Sequence, residues 1–200
     1  IDDHAIDANG SILIDGEKVN MHEIVERKFA GDQVKLRVIR EGKQLELTVI
    51  LKTLPQSRMY AIRYEEKPRY VVFAGLLLQP LDTNLFATAS FRDVTVRRFY
   101  SDYVSKGLFQ EYEDIVILTD ILADELNSSL PAYTGRVVKS INGAKVTSLA
   151  QAEALLNPKT PPEHFVIELM GVERPLVLPA AQIAAANERV KKNYNIPRLS

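Results

Sequence analysis

The 200-residue sequence contains no cysteine. This absence excludes disulfides, thiolate zinc sites and a cysteine nucleophile, and it leaves oxidising and reducing compartments equally open. The sequence also has no apolar run that approaches the roughly 18 residues of a membrane-spanning helix. The longest candidate, Tyr70 to Leu78, has the length of a strand. We therefore predict no membrane span.

Neither sign of charge predominates, since 25 basic residues stand against 26 acidic ones. A net charge of -1 gives no long-range field that would attract a polyanion, so binding of nucleic acid is not expected. The sequence is 46% hydrophobic and 26% charged. This composition is globular, and the length is enough for one or two small domains of roughly 100 residues each.

The first part of the sequence predicts a helix followed by a hairpin. Asn20 and Glu23 form a capping box, from which we expect a helix of about nine or ten residues that Gly31 ends. Apolar residues then alternate with polar ones from Val34 to Val38 and again from Leu45 to Leu51, on either side of a Glu41-Gly42 turn. This is a hairpin with one buried face.

Periodicity is lost between Thr53 and Pro68, and we interpret residues 53–69 as a linker. Two short strands, broken at Ala74-Gly75, open a second domain over residues 70–178. Residues 82–108 are expected to be a surface loop or short helices. Further strands are predicted at 115–121 and 137–141, with a short helix or turn at 123–130 between them. Residues 179–200 are alanine-rich, and we expect them to form a terminal helix that packs by Ile183, Ala186, Val190 and Tyr194.

The chain repeats one pattern. Residues 141–146 match residues 1–6, and Ser148 with Gln151 opens a helix as Asn20 does with Glu23. The strand at 165–169 then corresponds to the strand at 34–38. Two copies of one α+β module are predicted, and the first copy lacks its front half. Because the sequence starts at Ile1 without a signal-like segment, we expect that part of the protein to lie upstream. The first copy also carries an insertion of about a dozen residues with turns at Asn9-Gly10 and Asp15-Gly16.

The order of these segments resembles the PDZ region of HtrA/Deg serine proteases. The resemblance covers most of the chain and is carried by segments 10–17, 21–32, 38–43 and 70–81. It implies two PDZ-like modules, built as small, mainly antiparallel barrels or sandwiches with capping helices: residues 1–52 as the back part of the first, residues 70–178 as the second, and a terminal helix. The family's catalytic triad and the glycine-flanked serine segment have no counterpart here, so this chain should be inactive alone.

A PDZ domain adds a peptide strand to an open sheet edge beside a helix, and it holds a terminal carboxylate with the amides of a glycine-containing loop. The resemblance therefore implies a peptide-binding site in the second module. Its predicted loop is Ala74, Gly75 and Leu76, its predicted edge is Leu76, Leu77 and Leu78, and its predicted helix face is Leu149, Glu153 and Leu156. His22 and Glu26 are weaker groove candidates in the first module, which lacks a carboxylate loop.

Simpler interpretations accompany these predictions. Leu76 to Leu78 suit a buried strand equally well, which would leave the second module to hold an assembly together. The acidic residues Glu111, Glu113, Asp114, Asp120, Asp124 and Glu125 lack the spacing of a calcium loop and are expected to form a solvated face. His4, His22 and His164 are isolated. We expect Arg92, Arg97 and Arg98, which lie among aromatic residues, to cover apolar surface or to pair with acids.

No metal or cofactor is predicted. The resemblance implies that the partners are unfolded polypeptides or peptide C-termini, an upstream protease domain and sister subunits of a homo-oligomer. By the same resemblance, the chain would bind peptides and regulate a protease of protein quality control. The expected location is a bacterial periplasm or cell envelope, with a plant organelle as the alternative. The alternatives are a module that only sets oligomer assembly, a stand-alone adaptor and, least favoured, an enzyme that uses the acidic cluster.

Overall fold

A computed structural model describes residues 1–52, 59–62, 64, 66–88, 93–130 and 133–199. The chain divides into two compact units, Ile1–Pro55 and Gln56–Ser200. Helices and antiparallel strands are mixed in the chain, which confirms the predicted α+β class. Much of the predicted linker lies outside the described residues.

The first unit contains two hairpins and a short helix. Its elements are β1 (Ser11–Ile14), β2 (Glu17–Asn20), α1 (His22–Glu26), β3 (Gln33–Arg40) and β4 (Lys43–Ile50). Each hairpin has the predicted two-residue turn with positive φ at both positions, at Asp15-Gly16 and at Glu41-Gly42. The hairpin β1–β2 is the predicted insertion.

Helix α1 is shorter than the sequence predicts. The residue before the first helical turn is Met21 and not the predicted Asn20, whose side chain accepts a hydrogen bond from the backbone N–H of His22, and the helix ends at Glu26. Asp32 accepts a hydrogen bond from the backbone N–H of Phe29 at 2.9 Å, so the chain has already reversed there. The side chain of Phe29 is 81% exposed and offers the helix no buried contact that would extend it.

The apolar face of the hairpin β3–β4 is only partly covered. Val34 is buried, whereas Leu45, Leu47 and Val49 on the facing strand are each about two-fifths exposed, and Ile50 is 56% exposed. Among the described residues of this unit, the buried apolar side chains are those of Ile12, Ile24 and Val34. The unit therefore has a very small core.

The second unit has, in the part that the structure describes, one seven-stranded antiparallel sheet at its centre. Its elements are β5 (Val71–Phe73), β6 (Leu76–Pro80), α2 (Thr83–Thr88), α3 (Val94–Ser105), β7 (Val116–Ile121), β8 (Arg136–Ile141), β9 (Ala144–Lys145), α4 (Leu149–Leu156), β10 (His164–Leu169), β11 (Leu176–Pro179) and α5 (Ala180–Asn193). The strand order is β11-β10-β8-β7-β6-β5, and β9 pairs with β8. The main core contains Leu76, Leu118 and Ile141 together with apolar residues of α4 and α5.

A second apolar cluster fills the space between the sheet and α3. It contains Val96 and Tyr103 of α3, and the ring of Phe86 on α2 stacks on that of Tyr100 with centroids 4.2 Å apart. The described part of the region predicted as a loop or short helices thus contains the two helices α2 and α3. Met59, within the predicted linker, is buried in this cluster. The backbone N–H of Thr83 donates to the carbonyl of Met59 and holds this residue against the cluster. Arg98 pairs with Asp102 at 3.4 Å, whereas Arg92 lies outside the described residues.

The two copies of the predicted repeat share a specific pair of hydrogen bonds. Asn142 donates its backbone N–H to the carbonyl of Val166, and its side chain accepts the N–H of Val166. Asp2 makes the same two bonds with Lys35, at 2.8 and 2.7 Å. In both places the turn residue and its successor have positive φ. A turn of the same kind is therefore hydrogen-bonded to β3 in the first unit and to β10 in the second.

Candidate functional site

The predicted carboxylate loop is a tight hairpin turn. Ala74 and Gly75 have φ values of 50° and 87°, and they connect β5 to β6 directly, since Phe73 pairs with Leu76. Positive φ at both central residues is the signature of a type I′ turn, whose twist matches that of the strands it joins. The conformation of these residues is therefore set by the hairpin itself.

The protein's own side chains cover this turn. The Nδ2 group of Asn127 donates to the carbonyls of Ala74 and Leu122, both at 2.8 Å. A Cβ atom on Gly75 would lie 2.2 Å from that Nδ2 atom and 2.3 Å from the carbonyl oxygen of Leu122. Glycine is required here because the backbone of Leu122 leaves no room for a side chain. The same backbone is held in place by a hydrogen bond from the N–H of Leu122 to the carbonyl of Gly75.

Strand β6 lies inside the sheet. It pairs with β5 on one side and with β7 on the other, so the prediction that Leu76 to Leu78 form an open edge is wrong. The side chains of Leu76 and Leu78 are at most 1% exposed. The strand cannot take another partner along either side, because both rows of its main-chain groups face neighbouring strands.

Helix α4 packs directly on these strands. Its capping is as predicted: Ser148 accepts the backbone N–H of Gln151 at 3.1 Å, while Gln151 accepts that of Thr147 at 2.7 Å. Leu149 and Leu156 are buried in the same core as Leu76, and Glu153 is half-buried. The structure thus brings the predicted loop, strand and helix together as a core, and their role in binding peptide stays a prediction.

The true edge of the sheet at this point is β5. Because Phe73 and Leu76 close the hairpin, Val72 occupies a non-hydrogen-bonded pair with Leu77, and its main-chain groups point away from β6. The N–H of Val72 donates to the carbonyl of Leu199 at 2.7 Å. The next free amide, that of Ala74, donates to Oδ1 of Asn187 on α5, also at 2.7 Å. The C-terminal region of the chain therefore covers the edge.

Helix α5 is anchored firmly beside this edge. Ile183, Ala186 and Val190 are buried, as predicted. Tyr194 follows the last helical residue and is 44% exposed. Its hydroxyl accepts a hydrogen bond from the backbone N–H of Ala123 at 2.8 Å, in the loop before Asn127. Arg189 makes two hydrogen bonds of 2.7 Å to Asp124. The Arg189 guanidinium holds the pKa of the Asp124 carboxyl below its usual value.

The end of α5 redirects the chain towards β5. Asn195 adopts a left-handed conformation with φ of 50°, and the N–H of Ile196 reaches back to the carbonyl of Lys191 at 3.0 Å. This bond and the left-handed residue are those of a Schellman cap, and Pro197 follows it as the pattern favours. We call residues 195–199 the tail. In the sequence, Asn195 and Pro197 carry the signal for this cap.

The acidic run is not a single solvated face. The side chains of Asp114 and Asp124 are 4% and 3% exposed, and each is paired with an arginine, Arg69 and Arg189 respectively. Asp114 also accepts the backbone N–H of Leu149 at the start of α4, so both acids fix elements in place. In the part of the chain that the structure describes, no group of three His, Asp or Glu side chains is arranged to hold a metal ion.

The remaining candidates lie apart from this site in the sequence. His22 and Glu26 are exposed at the two ends of α1 in the first unit. His4 contacts the carbonyl of Leu13 through Nδ1 at 3.0 Å, and His164 is exposed on β10. No helix of the described residues is both long and apolar enough to cross a membrane.

Comparison with known proteins agrees with the resemblance drawn from the sequence. The sequence model of the PDZ domain matches residues 60–200. A putative protease Do-like 13 of Arabidopsis thaliana is 26% identical over 198 residues, which are 98% of this chain and 36% of that protein. The chloroplastic protease Do-like 2 of the same plant is 24% identical over 200 residues, or 98% of this chain and 32% of that protein.

An organism other than a plant supplies a similar match. A serine protease DegP homolog of Plasmodium falciparum is 20% identical over 239 aligned residues, which include 99% of this chain and 26% of that protein. The chain therefore spans between 26% and 36% of the length of these three relatives. The predicted resemblance to the PDZ region of Do-like proteases is confirmed.

Proposed function

Because the chain belongs to the PDZ domain family, we propose that it is the non-catalytic protein-interaction region of an HtrA/Deg-type serine endopeptidase and that it binds extended polypeptide segments. The protease domain would lie in the part of the protein that this sequence does not span. Unfolded polypeptides would be the ligands, in keeping with a role in protein quality control, and sister subunits would be further partners. A bacterial cell envelope or a plant organelle stays the predicted setting.

The observation that carries this proposal is the edge strand β5. Its outward amide is that of Val72, which meets the carbonyl oxygen of Leu199 at 2.7 Å, while the turn amide of Ala74 is bonded to Oδ1 of Asn187 on α5, also at 2.7 Å. A strand edge recognises any extended chain through such main-chain bonds, while side-chain pockets add preference. The side chains of β5 itself are apolar and buried, since Val71, Val72 and Phe73 are all at most 3% exposed. Apolar extended segments suit it best.

The first unit supports the wider assignment. Its Asp2 and Lys35 make the pair of bonds that Asn142 and Val166 make in the second unit. We therefore assign residues 1–52 to the back part of a preceding PDZ domain. The partly exposed apolar face formed by Leu45, Leu47 and Val49 is consistent with a domain whose remaining strands lie elsewhere in the protein.

The peptide-binding proposal is tested with a fluorescent apolar hexapeptide and two analogues that are N-methylated at alternate residues. Strand addition uses the main-chain groups on only one side of the peptide. We therefore expect one analogue to lose at least about tenfold in affinity and the other to bind nearly as the parent, by fluorescence anisotropy. A version with an amidated C-terminus separates capture of a terminal carboxylate from capture of an internal segment.

Equal binding of both N-methylated analogues would contradict strand addition, because an ordinary apolar contact does not distinguish the two sides of a peptide. A protein variant supplies a second check. Val72→Pro removes the outward N–H and should abolish binding, whereas Val72→Ala keeps that donor and should retain it. Thermal unfolding of both variants establishes that each one is folded.

Assembly is a second candidate function. It is favoured by the burial of Leu76, Leu78, Leu149 and Leu156, which makes these predicted binding residues part of the core. The mass of the full-length protein, measured by light scattering with and without residues 56–200, tests it. Fewer subunits per oligomer after removal support assembly, and an unchanged number of subunits refutes it.

A further inference from the structure

The outer side of β5 is occupied by a segment of the same chain. Residues 187 and 199 supply the two oxygen atoms that accept the amides of Ala74 and Val72. The hydroxyl of Tyr70 also donates to the carbonyl of Arg198, at 3.2 Å. A peptide added to β5 would need the position that the tail holds, so the two cannot be present together.

The tail is held much less firmly than the helix that precedes it. Helix α5 buries three apolar side chains and makes the bidentate pair between Arg189 and Asp124. In the tail, Ile196 and Leu199 are half-buried, whereas Pro197 and Arg198 are exposed. Among the described residues, one main-chain hydrogen bond joins the tail to β5. The tail is thus the part that can leave while α5 stays docked.

A defined residue separates the firm part from the loose part. Asn195 is held in the left-handed region, and the bond from Ile196 to Lys191 depends on that conformation. Asparagine and glycine enter this region readily, whereas a β-branched residue does so at considerable cost. The conformation of one residue therefore decides whether the chain turns back to β5 or continues away from it.

We propose that the tail is an internal ligand of β5, which an extended apolar polypeptide must displace before it can add a strand to the second unit. This proposal rests on the function proposed above. Since the tail is tethered a few residues from its binding position, its local concentration is high, and weak contacts are enough to make it an effective competitor. A polypeptide displaces the tail when it makes more main-chain hydrogen bonds to β5 than the tail makes.

The test compares two substitutions of the same residue in the 200-residue chain. Asn195→Val disfavours the left-handed turn and should release the tail, whereas Asn195→Gly preserves the turn and should keep it in place. We expect Asn195→Val to bind the apolar hexapeptide about tenfold more tightly than the unsubstituted chain does, because less protein is in the closed state. Asn195→Gly should bind as the unsubstituted chain does.

Amide hydrogen exchange at Val72 gives a readout that needs no ligand. Its N–H should exchange at least about tenfold faster in Asn195→Val than in Asn195→Gly, while the amides of β7 exchange equally in both. Peptide should restore the protection in Asn195→Val.

The outcomes distinguish this inference from the proposed function. If the peptide binds both variants equally and Val72 exchanges equally, the internal-ligand proposal is overturned while peptide binding stands. If Val72 exchanges faster in Asn195→Val but neither variant binds peptide, the tail covers the edge without competing with a ligand. That result overturns both proposals.

Discussion

Among the glycines whose surroundings the structure describes, Gly75 has the least space for a side chain, and its backbone conformation also disfavours one. Its φ of 87° lies in the left-handed region, and a Cβ atom would meet the carbonyl oxygen of Leu122 at 2.3 Å. A backbone atom cannot rotate away as a side chain can. Glycine is therefore needed here for packing as well as for conformation.

We expect Gly75→Ala to lower the free energy of unfolding by about 3–5 kcal/mol, because the conformational cost of roughly 1–2 kcal/mol is joined by displacement of the backbone at residue 122. Gly143→Ala is the matched control, since Gly143 has a φ of 79° and no atom within 4 Å of the added Cβ. It should lose only about 1–2 kcal/mol. Urea denaturation measures both, and equal losses would contradict the packing argument.

The close packing around Gly75 affects how binding data on variants of this residue are to be interpreted. Gly75→Val is the natural test of a carboxylate loop, but it would disrupt Asn127 and Leu122 whether or not a ligand binds there. Loss of binding in that variant would reflect a damaged fold. Substitutions at Val72 and Asn195 report on the edge more directly.

At the scale of elements, helix capping and turns were predictable because their signals are local. Ser148 and Gln151 form the predicted cap of α4, and Glu41-Gly42 forms the predicted turn. The position of β6 in the sheet was not predictable in the same way. It depends on pairing with β7, about forty residues further along the chain, and that pairing leaves no short-range pattern. The edge was consequently assigned to the wrong strand.

The docking of α5 also involved a partner that the sequence did not reveal. Arg189 and Asp124 are far apart in the sequence, and Asp124 was interpreted as one member of a solvated acidic face. Its burial follows from the arginine, because a carboxylate can be removed from water when a bidentate guanidinium compensates it.

The ion pair between Arg189 and Asp124 predicts a specific dependence of stability on pH. Because the pKa of Asp124 is lower in the folded protein than its unfolded value of roughly 3.9, the pair stabilises the fold above that pH. That contribution is lost as the pH falls through the folded pKa. Asp124→Asn and Arg189→Leu should each flatten the loss of stability below about pH 4. Urea midpoints measured between about pH 2 and 6 test this, and slopes that match the unsubstituted chain would contradict it.

At the scale of the whole molecule, the two units differ greatly in the size of their cores. The first has three buried apolar side chains among its described residues, whereas the second has two large apolar clusters. The repeat in the sequence indicated related modules, yet it did not indicate this inequality. A repeat reports shared local structure, while core size depends on which strands are present to cover each face.

We therefore expect residues 56–200 to fold alone and residues 1–55 to remain largely unfolded alone, since a chain of this length with so few buried side chains cannot offset its conformational entropy. Amide dispersion in heteronuclear NMR spectra of the two fragments measures this. A well-dispersed spectrum of residues 1–55 would contradict the expectation.

The covering of β5 by Leu199 also bears on how the protein behaves at high concentration. An uncovered edge strand with apolar neighbours is a template on which identical chains can stack, and natural proteins rarely leave one bare. A short, loosely held segment can shield such a template from its copies and still yield to a longer, better-matched strand. Colloidal stability and selectivity for ligands would then depend on the same few residues.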